Sequence, residues 1–205
     1  MLKRLVSEIN RSNLFKTLTR QTLDRTLPPI LKKYSKGEVL DVGSLHSPYK
    51  RYLKYKKYSI LDIVENPGVD YLMDIHKTNL KRNSFDTVIA TEVLEHLYNP
   101  FLAVEEMKRL LKPSGYLIAS TRFIYPYHGE PSDYFRFTKF GLERLFSGYQ
   151  KVEIITLGNR SSAIIDLFTT SNSIFKLMRP FVTLLTYFNN QKTKVPLGFV
   201  IIAQK

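Results

Sequence analysis

The stretch Asn83-Ser84-Phe85-Asp86-Thr87-Val88-Ile89-Ala90-Thr91-Glu92-Val93-Leu94-Glu95-His96-Leu97 decides the reading of this chain. Phe85 to Ala90 is a short apolar, β-branched run of strand length, and polar residues crowd directly behind it from Thr91 to His96. Asn99-Pro100 then opens a helix, with Asn99 as N-cap and Pro100 as its first residue. The helix carries Phe101, Val104, Met107 and Leu110 on one face and is closed by Lys112-Pro113-Ser114-Gly115.

Working outward, the same strand texture recurs at Glu38 to Val42, Tyr58 to Ile63, Tyr71 to Met73, Tyr116 to Ser120, Val152 to Leu157 and Phe199 to Ala203. Strands alternating with helices predict a seven-stranded, mostly parallel, doubly wound α/β sheet with right-handed crossovers. Ligands of such sheets bind outside the carboxyl ends of the strands. The chemistry is therefore expected at Asp41 to Pro48, Asp62, Asp74, Thr91 to His96 and beyond Thr121.

Asp41-Val42-Gly43-Ser44 is a strand running into a turn, where a glycine lets backbone approach a ligand and a nearby acid meets a cationic group. Asp62 lies 19 residues past Gly43, near the spacing at which α/β nucleotide sites set a carboxylate on ribose hydroxyls.

These blocks, with Leu61-Asp62-Ile63, Asp74-Ile75, the quoted stretch and Leu110 to Leu117, resemble the small class I (type 11) S-adenosylmethionine (SAM)-dependent methyltransferases over about residues 37 to 157. The resemblance implies a Rossmann-like fold with SAM as cofactor. Asp41 and Gly43 would then border its methionine part, Asp62 the ribose, Asp74 and Ile75 the adenine, and Thr91 and Glu92 the cleft, with Ser44 and Ile63 also among the cofactor-binding residues. In this family the first block usually continues with two more glycines at alternate positions, where this chain has Leu45 and Ser47. Either the loop takes another path, helped by Pro48, or cofactor binding is weak or lost.

Tyr125 to Thr138 resembles a His-x-x-Pro-x-Asp-Tyr-x-Arg-Phe-Thr loop of a subset of these enzymes tied to sugar and cell-surface glycan pathways. Tyr127 and Tyr134 can stack on a sugar or other ring, while Asp133 and Arg136 can bind hydroxyls or phosphate, or pair with each other to pin the loop. Methyl transfer needs alignment, plus a base when the acceptor is a hydroxyl, and His128 is the expected base with His96 as its rival. His46 and His76 read as ordinary loop residues. No zinc-ligand spacing occurs, and no metal is expected.

The 205 residues carry a formal net charge of +13 and no cysteine, which excludes disulfides, thiolate zinc sites and a cysteine nucleophile. Residues 1 to 57 hold 14 Lys or Arg against four acids. Such a lobe either attracts polyanions or is a solvated face. Residues 1 to 36 read as a basic amphipathic helical extension ended by Pro28-Pro29, and residues 37 to 205 as the methyltransferase domain. Residues 161 to 190 read as an apolar helical insert broken by Asp166, Lys176, Arg179 and Pro180. The insert is a cover on the core, a homodimer face, a lid or a shallow membrane contact.

The expected function is O-methylation of a small molecule or a lipid-linked glycan, in a cytoplasmic protein with peripheral membrane contact through the extension and the insert. The rivals are a binding or scaffold protein without turnover, and a nucleic-acid methyltransferase. No Asn-Pro-Pro-Tyr-like block supports the last.

Overall fold

The computed structural model describes residues 16–44, 46–129, 132–171 and 194–205. The first 15 residues, Leu45, Glu130, Pro131 and most of the apolar insert lie outside them.

The strands are β1 (Glu38–Val42), β2 (Lys57–Asp62), β3 (Tyr71–Leu72), β4 (Phe85–Thr91), β5 (Leu111–Arg122), β6 (Lys151–Leu157) and β7 (Gly198–Gln204). They form one sheet in the order β3-β2-β1-β4-β5-β7-β6. All pairs are parallel except those of β7, which runs antiparallel to both β5 and β6. The expected doubly wound α/β architecture is thereby present, with the last strand reversed.

Alternation along the central strands divides the core. Leu40, Val42, Val88, Ala90, Leu117 and Ala119 face α2 (Pro100–Leu110) and α3 (Lys139–Leu145). Val39, Ile89, Ile118, Val200 and Ile202 face α1 (Leu18–Tyr34) and α4 (Arg160–Ser171). Both faces of the sheet are buried, which is why these strands read as continuous apolar runs.

The helix starts follow the local chemistry. Asn99 accepts the Leu102 N–H at 3.2 Å with Pro100 in the first turn, and Thr138 accepts that of Gly141 at 3.0 Å.

Two expectations need correction. Pro28-Pro29 do not end α1, which continues to Tyr34 with both prolines inside it. They withhold two backbone donors, and burial of Leu23, Leu27 and Leu31 against the sheet offsets that cost. The helix does close at Leu110, but the fifth strand, expected from Tyr116, already begins at Leu111. Lys112 to Gly115 form an irregularity within β5, where pairing with β4 jumps from Phe85–Leu111 to Thr87–Tyr116 and Ser114 takes φ 62°.

Candidate active site

A cavity of about 710 Å³ opens at the carboxyl ends of β1, β2 and β4. Its walls combine Val42, Leu61, Ile63, Ile75 and Leu97 with Asp62, Asp74 and Glu92. Gly43 also lines it, at φ 67°, and a Cβ there would stand 2.8 Å from Cγ2 of Val93, another wall residue. Asp62 is buried, and one carboxylate oxygen accepts the Val64 N–H at 3.0 Å. Asp74 is about half exposed and binds His76 through both the backbone N–H and Nδ1. The His76 bonds outweigh its partial burial and hold Asp74 below the usual carboxylate range.

The structure thus brings Gly43, Asp62, Ile63, Asp74, Ile75 and Glu92 to one crevice. Asp41, Ser44 and Thr91 stand beside it rather than in its walls. Asp41 is sequestered: its Oδ2 accepts the Tyr58 hydroxyl at 2.5 Å, its Oδ1 has no hydrogen-bond partner, and burial pushes it up to about 6. The Tyr58 hydroxyl also lies 2.8 Å from the Ser47 hydroxyl, so Ser47 ties the loop after β1 to the β2 side chain. Leu45 lies outside the described residues, and with it the crowding question.

Behind the crevice lies a charged layer of which the sequence reading named only Glu92. Glu92, at φ 57°, accepts the Ser120 hydroxyl at 2.9 Å and the Arg122 guanidinium at 2.6 Å. Glu95 is fully buried. Its Oε2 accepts the Thr121 hydroxyl, its Oε1 has no hydrogen bond, and burial together with Glu92 pushes it up to about 8. Arg122 lies over the Tyr125 ring at 3.8 Å, linking this layer to the loop after β5. His76, expected as a bystander, lines the cavity and stacks on Tyr98 with ring centres 3.8 Å apart. A strand-end Glu-x-x-Glu was the one signal for the acidic pair; its burial depends on β5, which no local pattern reveals.

The loop after β5 folds back onto the turn after β4. The backbone N–H groups of Tyr134 and Phe135 donate to the Glu95 carbonyl, and His96 Nδ1 lies 2.6 Å from the Ser132 carbonyl. A carbonyl only accepts, so Nδ1 of His96 carries the proton and Nε2 keeps its lone pair. Ser132 and Tyr134 thereby become walls of the same cavity. Asp133 is buried within the loop, where both oxygens are gripped by Arg136 and Oδ2 lies 3.1 Å from His128 Nδ1. Arg136 holds the Asp133 carboxyl far below the usual carboxylate range, so it is ionised. His128 Nδ1 must then donate, again leaving Nε2 free. Burial, aided by the Arg122 guanidinium, lowers His128 and keeps it neutral near pH 7. Its ring meets that of His96 edge-on at 4.8 Å. Tyr127 is almost fully exposed.

Among the described residues, Glu95, His96 and His128 bring one ligand-type atom each within 4.8 Å of one another, the arrangement nearest to a metal site.

Residues 40–119 match the sequence model of a family described as a methyltransferase domain. The matched stretch is similar to SAM-dependent methyltransferases. The chain is also similar to a ubiquinone biosynthesis O-methyltransferase of Actinobacillus pleuropneumoniae, 32% identical over 85 residues. That match covers 41% of this chain and 32% of the relative, so the chain spans about a third of the length of the curated relative it matches. Two solved structures share the methyltransferase fold. A SAM-dependent methyltransferase from Archaeoglobus fulgidus superposes with TM-score 0.58 at 17% identity, over 89% of this chain and 91% of that one. The 1,6-didemethyltoxoflavin-N1-methyltransferase of Burkholderia thailandensis does so with TM-score 0.59 at 16% identity, over 88% and 77%.

The crevice fits SAM, the cofactor of the methyltransferases that the chain resembles. It has apolar walls for a purine, carboxylates of Asp62 and Asp74 for hydroxyl and amino groups, and an orphaned buried Asp41 oxygen beside the glycine turn.

Proposed function

We propose that this chain moves a methyl group from SAM to an oxygen of a small-molecule or glycan acceptor held by the loop after β5. The observation that carries this reading is the docking of that loop onto the cavity, which sets His128, already anchored on Asp133, beside the cofactor crevice.

Asp62 and Asp74 would hold the adenosine part of the cofactor, and Gly43 would give its other end room. When bound, SAM would supply the electrophilic methyl group and a neutral thioether as the leaving group. His128 Nε2 takes the hydroxyl proton as the acceptor oxygen forms its bond to carbon. Asp133, paired with Arg136, keeps the Nδ1 proton in place and steadies the imidazolium that results. Tyr127 and Tyr134 present ring faces to the acceptor.

His96 offers the second reading of the base, because it is itself a cavity wall with Nε2 free. The two variants His128→Ala and His96→Ala separate them. The true base loses turnover without losing cofactor affinity.

Calorimetry with SAM and its demethylated product tests the cofactor assignment. Binding of both, weakened at least tenfold by Asp62→Ala, is expected. Binding of neither sinks the proposal and favours a scaffold without turnover.

A further inference from the structure

Several cations of this fold pair with a carboxylate. Arg109 has Glu106, Lys112 has Asp86, Arg122 has Glu92, Arg136 has Asp133, and Lys16 and Arg20 share Asp24. One surface instead gathers eight cations close together in the chain without such pairing. The end of α1 and its exit carry Lys32, Lys33 and Lys36, all exposed. The 3-10 turn Lys50–Tyr52 and the approach to β2 add Lys50, Arg51, Lys54, Lys56 and Lys57, also exposed.

Backbone bonds join these two stretches into one patch. The Lys54 N–H donates to the Ser35 hydroxyl at 2.8 Å, and the Lys56 N–H to the Gly37 carbonyl at 2.7 Å. Among the described residues, none of these eight side chains forms an ion pair. From residue 25 to 57 the only acids are Glu38 and Asp41, and Asp41 is buried under Tyr58.

Instead of carboxylates, five of the eight cations, Lys32, Lys33, Lys36, Lys50 and Arg51, lie over tyrosine rings. Lys32 and Arg51 share Tyr52, at 5.7 and 4.8 Å, Lys33 covers Tyr34, and Lys50 covers Tyr58 at 4.5 Å. A ring holds an ammonium in place without neutralising it. The ring-held cations therefore keep a fixed layout without a salt bridge, with Tyr55 exposed among the lysines.

We propose that this patch docks the protein on an anionic lipid surface. Seven of the eight cations are lysines, point charges suited to a diffuse negative plane rather than to the paired acceptors of bases, where arginine prevails. The rings are capped by cations, so they offer few open faces for stacking single-stranded bases. Exposed tyrosine beside lysine matches the headgroup depth of a bilayer. No helix among the described residues is long and apolar enough to cross a membrane, so the contact lies on the surface. The patch lines neither the cofactor cavity nor the second cavity beside α2, so docking leaves both open.

Co-sedimentation of the full chain with phosphatidylcholine vesicles, with or without phosphatidylglycerol, tests this. Binding is expected only with phosphatidylglycerol, and to weaken as salt rises. Lys50→Glu/Lys54→Glu/Lys56→Glu should weaken it by about tenfold or more, given the roughly equal share each cation contributes at an anionic surface. A control of equal charge change on other faces, Lys81→Glu/Arg144→Glu/Lys151→Glu, should retain most of the binding. Circular dichroism confirms that each variant is folded. Equal binding by the two triple variants overturns the proposal. So does failure to sediment with anionic vesicles, and a gel shift with single-stranded RNA in that case assigns the patch to nucleic acid.

Discussion

Asp166, near the end of the chain, holds Thr19 near its start: its carboxylate accepts the Thr19 backbone N–H at 3.0 Å and the Thr19 hydroxyl at 2.6 Å. It also takes the Leu18 N–H at 2.6 Å, so one buried acid serves the free donors at the start of α1 from the neighbouring α4. Asp166→Ala should cost about 2–3 kcal/mol, because it strands the buried donors of Leu18 and Thr19. Urea denaturation followed by circular dichroism measures this, and an unchanged midpoint would contradict the role.

Truncating the base should separate chemistry from binding. His128→Ala is expected to lower kcat roughly 100- to 10,000-fold with little change in SAM affinity. A base works unprotonated, so activity should rise with pH through the His128 value, which burial and Arg122 place below the usual one. Asp133→Asn removes the charge that raises His128, so the acid limb should move to still lower pH while kcat falls. A pH profile of single-turnover rates checks both, and an unmoved limb would point to His96.

Glu95 should make the fold less stable in alkali. A carboxyl whose folded value, about 8, lies above its ordinary 4.5 holds more protons folded than unfolded between those limits. Stability is then greatest below about 4.5 and declines as pH rises towards 8. Glu95→Gln keeps the shape without the charge. It should melt like the parent near pH 5 and, above pH 8, gain on the order of 1 kcal/mol or more over it. Parallel melting curves across that range are the test; an equal gap at both ends would show that Glu95 does not titrate there.

Gly43 carries a backbone requirement and a spatial one at once. Gly43→Ala puts a side chain at φ 67° and 2.8 Å from Val93. It should cost about 1–2 kcal/mol and reduce SAM affinity, since both residues line the crevice. Val93→Ala in the same chain should return part of the affinity, measured by calorimetry.

Legibility in the sequence follows the range of the interaction that decides each feature. The strands announced themselves because two-sided burial makes them uniformly apolar, and Asn99-Pro100 because caps act within three residues. Asp62 and Asp74 were readable from their places at strand ends. Pro28-Pro29 misled because local backbone preference argued for a stop, whereas tertiary packing of Leu27 and Leu31 carried α1 past it. Asp41 was read as bordering the cofactor, and its bond to Tyr58 was not legible because it depends on β2 lying beside β1, a neighbour that no short window contains. The same holds for Glu95, whose burial under Thr121 is set by the β4 to β5 pairing.

The reversed strand β7 has a consequence for how the protein is made. It slots between β5 and β6, with all its residues except Gln204 buried, and it is the last of the strands to be synthesised. Until it emerges from the ribosome, β5 and β6 have no partner along two open edges, and the nascent sheet cannot close. Fusions or truncations that delay or remove residues 198 to 204 should therefore yield aggregation-prone intermediates rather than a smaller folded unit.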